Sequence, residues 1–527
     1  MSDTQSPSNI SRDPEKLLGH VDDAGLPNVE HLPSNRPDTP TYRADDGSSQ
    51  GEDPDRFVVW WTSPEEEDPT NPMNWSEPRK WGIIAVVSFI SFLTPLASSM
   101  FAPGVPDVME EFGTSSSVLS GFVVSVFVLG FAFGPLVVAP LSEVLGRVII
   151  YNVSNVLFLV FTIACAESKT MGMLIAFRFL AGFVGVTALT CGGGTVADLM
   201  PQERRGGAIA IWSLGPLFGP IIGPVTGGFL IEAKGWRWAF WVIAIVAGAT
   251  LIFAFFTLRE TYAPVILERK AARLRKETGN NNYRSKLASD LAPRDLFLSS
   301  VLRPTQMLLF SPIVTCMSIY LAVMYGLLYI LFTTFTFVFE DVYGFSSAAA
   351  GLTFLGSGVG MITGLAVSGI VSDRLLKRQK AKGVSLKPEH RLPLLLTVPA
   401  CLCLPAGLFI YGWGAEKHAH WMVLEVGTAI IGTGMIIIMM SVQTYLVDAF
   451  TVHAASALAA NTVLRSLMGS LLPLCGLQIY DRLGLGWGNS LLAFIALGLS
   501  PIPVLFRIFG ERIRTHSRMK PAEKNST

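Results

Sequence analysis

The stretch GPLFGPIIGPVTGG, Gly215 to Gly228, repeats glycine at every fourth position and places proline directly after three of these glycines. Both residues normally disfavour helices, yet the flanking segments AIAIWSL and FLIEAKGW have the composition of a membrane helix. Four residues turn a helix by about 400°, so these glycines share one face and allow close approach of another helix. Each proline removes a backbone donor. We therefore expect a bent helix packed tightly on a neighbour.

The composition of the whole chain indicates a polytopic membrane protein. Of its 527 residues, 50% are hydrophobic and only 15% are charged, whereas charged residues make up about 25% of a soluble protein. The apolar residues occur in long blocks, many of which reach the roughly 20 residues that a bilayer-spanning helix needs. The formal net charge is zero, which argues against a nucleic-acid partner. The expected fold class is therefore all-α, with the lipid bilayer as its surroundings.

The apolar blocks predict twelve membrane spans in two halves of six helices. The predicted spans are 81–102, 118–140, 148–166, 171–193, 207–231, 238–257, 307–336, 346–370, 392–413, 420–446, 453–477 and 487–509. The corresponding domains are a disordered acidic tail (1–78), a first half (79–258), a basic middle loop (259–304), a second half (305–510) and a C-terminal tail (511–527). Residues 1–70 hold 16 acidic and 5 basic residues, 5 − 16 = −11, too polar a composition to form a core.

The distribution of lysine and arginine predicts that both termini face the cytosol. With that orientation the inner loops hold twenty basic residues and the outer loops only five, as the positive-inside rule requires. The middle-loop stretch LERKAARLRKETGNNNYRSK is strongly basic and is expected to be partly helical. All six cysteines lie inside apolar blocks and none forms a C-x-x-C pair, so we expect neither disulfides nor a metal site.

Three motifs resemble those of the major facilitator superfamily, in particular its twelve-span drug:proton antiporter branch in fungi. They are PLSEVLGR after the second span, RFLAGFVG in the fourth and GPIIGPVTGG in the fifth. A weaker copy of the first motif, GIVSDRLLKR, follows the eighth span. The resemblance extends from Asn71 to the last span and implies the major facilitator fold. Ala139 and Val144 depart from the family pattern, which implies fewer charge contacts in that loop.

The resemblance assigns roles to several groups of residues. The loop residues of the two copies are expected to act as conformational switches, and the fifth-span residues form the family's antiporter motif, which is expected to pack on span 8. The switch residues are Glu143, Gly146, Arg147, Asp373 and Arg374, and the antiporter-motif residues are Gly219, Pro220, Gly223, Pro224, Gly227 and Gly228. The switch hypothesis is that Glu143 pairs across the two halves when the cytoplasmic side is closed.

Ionisable residues within the spans are the candidates for proton coupling. Arg178 lies inside span 4, where a charge costs several kcal/mol unless it faces protein or water, and we expect it to bias the protonation of a nearby carboxylate. Arg465, midway along span 11, follows the same reasoning. Glu425 is the preferred proton carrier. The alternative carriers are Asp107, Asp198 and Asp448.

Four aromatic residues of span 7 are candidates for lining a substrate cavity: Tyr320, Tyr325, Tyr329 and Phe335. An enzyme is not expected, because the chain has no G-x-x-x-x-G-K-[ST] loop and no paired metal-ligand spacing. The absence of that loop also excludes a P-loop ATP-driven pump, so no cofactor is expected. The resemblance to drug:proton antiporters implies that the proton gradient is the energy source.

The resulting functional hypothesis is a proton-coupled exporter of hydrophobic or amphipathic small molecules, such as drugs, toxins or a secondary metabolite. Its partners would be that substrate and protons, and a monomer is expected. The plasma membrane is the expected location, although a vacuolar protein would have the same sequence features. Two alternatives remain: an importer of a small metabolite on the same fold, and a nutrient sensor that does not transport.

Overall fold

The computed structural model describes residues 57–62, 64–288, 293–381, 387–450 and 454–516. The helices of the first half and the middle loop are α1 Glu77–Ser99, α2 Val105–Glu111, α3 Ser117–Leu145, α4 Arg147–Ala166, α5 Met171–Gly185, α6 Thr187–Leu199, α7 Gln202–Lys234, α8 Arg237–Thr257 and α9 Ala263–Thr278. Those of the second half are α10 Pro293–Phe310, α11 Pro312–Tyr343, α12 Ser347–Leu352, α13 Phe354–Ala381, α14 Leu394–Glu416, α15 Trp421–Ala449, α16 Ala454–Leu471, α17 Gly476–Leu499 and α18 Pro501–His516. Two short strands, β1 Val58–Val59 and β2 Arg284–Ser285, complete the regular structure, together with 3₁₀ turns at Glu65–Glu67, Pro72–Asn74, Ala102–Gly104, Pro388–Arg391 and Leu472–Cys475.

The described residues contain eleven segments that are long and apolar enough to cross a bilayer. The last segment, Ser456–Ile513, has 58 residues, enough for two crossings of about 20 residues each. The chain reverses within it at Gly484, where φ is +74°, and the Tyr480 hydroxyl donates to Asn489 Oδ1 at 3.0 Å. The predicted twelve spans are therefore confirmed. Span 11 is formed by α16 and the start of α17, and span 12 by the rest of α17 and α18.

Burial separates the spans at the centre of the bundle from those at its surface. Buried residues make up 72% of the apolar windows of spans 1 and 7, but only 33% of that of span 6. Four side chains of span 6 are each more than 60% exposed: Ile252, Phe253, Phe255 and Phe256. Exposed aromatic and aliphatic side chains are typical of a surface that faces lipid. The centre of the bundle thus lies between spans 1, 2 and 7.

The glycine repeat of span 5 packs on span 1. Helix α7 continues through all three prolines, and a Cβ atom at Gly215, Gly219 or Gly223 would clash with backbone or side-chain atoms of α1. A Cβ at Gly227 would overlap the carbonyl oxygen of Met100, at the C-terminal end of α1. The four glycines therefore form a continuous seam against span 1, which explains their spacing of four.

Span 8 contacts α7 on a different face. Ser347, Ala348 and Gly351 surround Gly228, and a Cβ at Gly351 would overlap the carbonyl oxygen of Pro224. The prediction that span 8 is a neighbour is therefore confirmed for Pro224 and Gly228, but it was wrong for the glycine repeat. Spacing alone identifies a close-packing face without identifying the helix that it meets.

The two halves also meet at the end of the bundle opposite the chain termini, called here the far end. The Ser125 hydroxyl in α3 donates to the Ser470 carbonyl oxygen in α16 at 2.8 Å. The Glu232 carboxylate in α7 accepts a hydrogen bond from the Ala348 amide at 3.0 Å, at the N-terminus of α12. A carboxylate at this position is favoured by the unpaired amides and the dipole of a helix N-terminus. These contacts close the far end.

Residues 57–62 and 64–76, which the sequence assigned to the disordered tail, contact the middle loop and form what is called here the clasp. Strand β1 pairs in parallel with β2, and the Arg284 and Lys286 amides donate to the Phe57 and Val59 carbonyl oxygens at 3.0 Å each. Helix α9 confirms that the basic middle loop is partly helical. The N-terminal segment is therefore anchored to the middle loop just before span 1 begins.

Asp68 is the buried charge of the clasp. It accepts hydrogen bonds from the Thr62 amide at 2.7 Å and the Thr70 amide at 2.8 Å, and Lys270 Nζ of α9 lies 3.6 Å from its carboxylate. Burial alone would raise the pKa of Asp68, but the hydrogen bonds from Thr70 and Thr62 outweigh it and hold that pKa well below its usual range. Asp68 therefore stays ionised at physiological pH.

The glycine seam predicts a stability difference between two substitutions in α7. Gly227→Ala places a methyl group against the α1 backbone, and such overpacking costs roughly 1–3 kcal/mol. Gly207→Ala is the matched control, because a Cβ there has no atom within 4 Å and alanine favours the helix. We expect Gly227→Ala to lower the thermal unfolding midpoint of the purified protein and Gly207→Ala to leave it unchanged or raised. Equal midpoints for the two variants would contradict the seam.

The clasp predicts that the backbone amides at β2 are protected from hydrogen exchange to an extent that does not change with pH. Because the pKa of Asp68 is lowered, its stabilising effect is present above the usual aspartate value of about 3.9 and is lost only as the pH falls through the lower folded value. Hydrogen exchange at the Arg284 and Lys286 amides should therefore show constant protection, after correction for intrinsic rates, between pH 8 and pH 5. Asp68→Asn should reduce this protection by about tenfold, since hydrogen bonds to a charged group contribute about 1.5–3 kcal/mol.

Glu67→Gln is the matched control for the clasp, because Glu67 is exposed and lies next to Asp68. Protection that falls between pH 8 and pH 5, or an equal loss in both variants, would contradict the role of Asp68.

Candidate functional site: two central arginines and a repeated ion pair

Arg178 is held inside the bundle by backbone carbonyl groups. Its side chain is 1% exposed, and Nε donates to the Val123 carbonyl oxygen at 2.6 Å. Nη2 donates to the carbonyl oxygens of Ser98 at 3.0 Å and Val124 at 3.3 Å. Ser98 lies in the last turn of α1, where carbonyl groups lack helical partners and the helix dipole favours a cation. Arg178 of α5 thereby joins span 4 to spans 1 and 2.

Aromatic rings complete the surroundings of this guanidinium. Its central carbon lies 4.8 Å from the ring centre of Phe101, 5.4 Å from that of Phe127 and 5.7 Å from that of Phe240, within the range of cation–π attraction. A cavity of about 10 Å³ adjoins it, room for about one water. Among the described residues, Nη1 has no hydrogen-bond partner and no carboxylate forms an ion pair with Arg178. The carboxylate expected beside Arg178 is thus replaced by carbonyl groups and rings.

Arg465 occupies a similar environment in the second half. Its guanidinium lies over the Tyr325 ring at 4.7 Å, Nη1 donates to Met439 Sδ at 3.3 Å, and Nε is buried without a partner among the described residues. One helical turn earlier, Asn461 is fully buried and neither polar atom of its side-chain amide has such a partner. The sequence analysis missed Asn461, although it lies within the apolar span 11, where a buried amide is an unusual residue.

The four span-7 aromatic candidates divide into two pairs. The Tyr325 and Tyr329 rings lie 4.9 Å apart, and Tyr329 lies within electrostatic range of both Arg178 and Arg465. Tyr320 instead donates to Cys401 Sγ at 3.3 Å, and Phe335 packs against the rings of Phe354 and Tyr411. The structure therefore brings only Tyr325 and Tyr329 to the arginines.

Glu425 lies within the second half, between spans 8 and 10. Its Oε2 atom accepts a hydrogen bond from the Gly356 amide at 3.0 Å, near the N-terminus of α13, where amides lack helical partners. Its Oε1 atom is buried and has no partner among the described residues. Asp107, one of the alternative carriers, is exposed on α2. Proton transfer by either carboxylate remains a prediction.

The loop after span 2 is fixed to the inner end of span 4. Arg147 Nε lies 3.4 Å from Asp198 Oδ2, and Arg147 Nη1 donates to Ser142 Oγ at 2.9 Å. The guanidinium also lies 4.9 Å from the ring centre of Tyr262. Burial is the main cause that raises the pKa of the Tyr262 hydroxyl, so this ring stays neutral. Gly146 has a φ of +98°, which an L side chain rarely adopts, and it makes the turn into α4.

Glu260 binds the first amides of α4. Glu260 Oε1 accepts a hydrogen bond from the Arg147 amide at 2.9 Å, and Oε2 accepts one from the Val148 amide at 3.4 Å. It thereby caps α4 from the middle loop. Glu143 forms no ion pair within 4 Å among the described residues, but it lies within electrostatic range of Arg147 and of Arg303 in the second half.

The second half repeats the ion pair of the first with a different arginine. Arg391 Nε, just before span 9, lies 2.6 Å from Asp448 Oδ2 at the inner end of span 10. Arg147 and Asp198 have the corresponding positions at spans 3 and 4. Arg374 is exposed and forms no ion pair with the described residues, and the Asp373 side chain lies outside them. The signal for Arg391 in the sequence is its position just before span 9, which matches that of Arg147 before span 3.

Apolar helices long enough to cross a membrane, an ion pair repeated in both halves and arginine side chains inside the bundle are the features of a membrane transporter. The chain belongs to the Major Facilitator Superfamily, whose family model matches residues 87–473. It is therefore a transport protein and not an enzyme.

Fungal transporters are among the relatives of this chain. The chain is 53% identical to the protein named efflux pump radE of Floropilus chiversii, with 89% of this chain and 87% of that protein covered. It is 53% identical to the MFS-type transporter penM of Penicillium rubens, with 90% and 93% covered. A solved structure of the xylose transporter XylE from E. coli, in a partially occluded inward open conformation, has a TM-score of 0.61 at 16% identity, with 82% of this chain and 98% of that chain covered. At that identity the likeness shows the fold alone.

The repeated ion pair predicts different effects for two arginines. Arg391→Ala removes a half-exposed pair worth about 1 kcal/mol or less, so the protein should remain folded. A free-energy change of this size alters the equilibrium constant between two conformations by up to about fivefold. We therefore expect the initial transport rate to change by a few-fold. Arg374→Ala, the matched control, should leave the rate unchanged. The charge-exchanged variant Arg391→Asp/Asp448→Arg should restore part of the rate. Equal effects of the two alanine substitutions would contradict the assignment.

Proposed function

We propose that the protein is a proton-coupled transporter that exports hydrophobic or amphipathic small molecules by alternating access. The observation that carries the direction of transport is the 53% identity, over 89% of the chain, to a protein named as an efflux pump. The glycine and proline repeat of span 5, which resembles the antiporter motif of exporters, supports the same direction. The load would be a drug, a toxin or a secondary metabolite.

Alternating access is supported by the different contacts at the two ends of the bundle. At the far end, Ser125 bonds directly to Ser470 and Glu232 to Ala348. At the inner end, Glu143 and Arg303 of opposite halves are only within electrostatic range. With both termini in the cytosol, this form is closed towards the outside. Substrate would enter from the cytosolic side, and approach of Glu143 to Arg303 would accompany closure of that side.

The proton gradient is the proposed energy source, and Glu425 is the proposed proton carrier. The unpartnered Oε1 atom of Glu425, buried beside the first turn of α13, is consistent with a carboxyl group that gains and loses a proton. A monomer in the plasma membrane remains the proposed form. An importer would have the same helices and the same arginines, so only the direction of net transport distinguishes an importer from an exporter.

The test is the cellular retention of a panel of lipophilic dyes and toxins in an efflux-deficient yeast that produces this chain, with and without a protonophore. We expect lower retention of at least one compound, and the protonophore or Glu425→Gln should abolish this effect. Glu416→Gln is the matched control, since Glu416 is exposed and accepts bonds from the loop between spans 11 and 12. Increased retention would identify an importer. Export that is insensitive to the protonophore would contradict proton coupling.

A further inference from the structure

The centre of the bundle holds positive charge that no carboxylate neutralises. Among the described residues, neither Arg178 nor Arg465 forms an ion pair. The groups within electrostatic range of Arg178 are Cys165 and Tyr329, both of which are uncharged at neutral pH. Glu425 interacts with Gly356 and with neither arginine. A buried charge without a counter-ion is costly, so its retention at this place calls for a function.

The two arginines belong to one site that crosses the boundary between the halves. Arg178 bonds to the Ser98 carbonyl group, and Tyr329 lies beside Ser98 and within electrostatic range of both arginines. The Tyr329 ring contacts the Tyr325 ring, over which Arg465 lies. The connection thus runs from Arg178 in span 4 through two tyrosines of span 7 to Arg465 in span 11.

Unused hydrogen-bond donors are concentrated along this connection. Among the described residues, Nη1 of Arg178, whose side chain is 99% buried, has no partner, and neither has the amide nitrogen of the fully buried Asn461. Arg465 is only half-buried, but its Nε atom is buried and also has no partner among them. Buried donors in proteins are normally satisfied. The cavity beside Arg178, about 10 Å³ and lined by residues of the first half, admits a single water and no organic molecule, so a larger ligand enters only when the surrounding helices move apart.

We propose that this site recognises an aromatic organic acid in its anionic form, and that the two arginines bind its carboxylate or acidic phenolate while Tyr325 and Tyr329 stack on its ring. The inference rests on the proposed export function and narrows its substrate class. Guanidinium groups form strong, charge-assisted hydrogen bonds to carboxylates. Two tyrosines and three phenylalanines around the arginines favour an aromatic anion over a small inorganic one.

The test is an equilibrium binding measurement on the purified full-length protein in lipid nanodiscs at pH 7.5. The probes are carboxylic acids of one-, two- and three-ring aromatic scaffolds, namely benzoic, 1-naphthoic and 9-anthracenecarboxylic acid, each compared with its methyl ester. A charge-assisted bond of about 1.5–3 kcal/mol corresponds to roughly tenfold to hundredfold in affinity. We expect at least one acid to bind tenfold or more tightly than its ester, and Arg465→Gln to remove this preference while Arg465→Lys retains part of it.

Arg482→Gln is the matched control, since Arg482 is exposed near the far end and its loss changes the net charge equally. Arg178→Lys serves as a second variant and should weaken binding of the acids more than that of the esters. If no acid of any scaffold binds more tightly than its ester, or if Arg482→Gln reduces the preference as much as Arg465→Gln, the proposal is overturned. Equilibrium binding requires neither a proton gradient nor net transport in one direction. A failure of the binding test therefore leaves the export proposal standing, and a failure of the export test leaves the proposed anion site standing.

Discussion

The structure depends on how a buried guanidinium is accommodated in an apolar bundle. Moving an ion out of water costs several kcal/mol even after relaxation, and Arg178 is surrounded by backbone oxygens of α1 and α3 and by three phenylalanine rings. These interactions require spans 1, 2 and 4 to lie at fixed distances from one another. They also leave one nitrogen of the guanidinium without a partner among the described residues. The same group therefore organises the first half and keeps an unused donor.

Close helix packing and paired charges fix the remainder around this centre. The glycine seam holds span 5 against span 1, and the adjacent face of α7, with Pro224 and Gly228, meets span 8 of the other half. At the inner end, Arg147 with Asp198 and Arg391 with Asp448 repeat one arrangement in both halves. Glu260 then joins the middle loop to α4, and the clasp around Asp68 joins that loop to the segment before span 1. The middle loop is thus connected both to the N-terminus of α4 and to the segment before span 1.

The sequence predicts the helices far better than it predicts their partners. The number of spans and the helical part of the middle loop followed from apolar block lengths and composition, which are local properties. The partner of the glycine repeat did not, because spacing identifies a face and carries no information on the helix opposite. Residues 57–76 were assigned to a disordered tail on their charge, yet Asp68 gains hydrogen bonds and Lys270 only once the middle loop is in place.

The candidate site shows the same limit. Arg178 and Arg465 were identified because an arginine is rare inside an apolar span, and Tyr325 and Tyr329 were identified with them. The carbonyl groups that bind Arg178 are present in every residue and therefore leave no signal in the sequence. Asn461 and Arg391 do leave a signal, as a polar residue in a buried span and as a repeat of Arg147. The absence of a carboxylate next to Arg178 was visible only in the structure.

The central claim is that protons moving down their gradient drive the substrate across the membrane in the opposite direction. It is tested most directly by reconstituting the purified protein in liposomes, imposing a pH gradient with no substrate gradient, and following a transported compound in both compartments. Exchange predicts that the compound accumulates on the more acidic side, because protons leaving that side are exchanged for substrate. Accumulation on the more alkaline side would show symport. If the protein carries the compound down its concentration gradient but the pH gradient causes no accumulation, substrate transport is not coupled to protons.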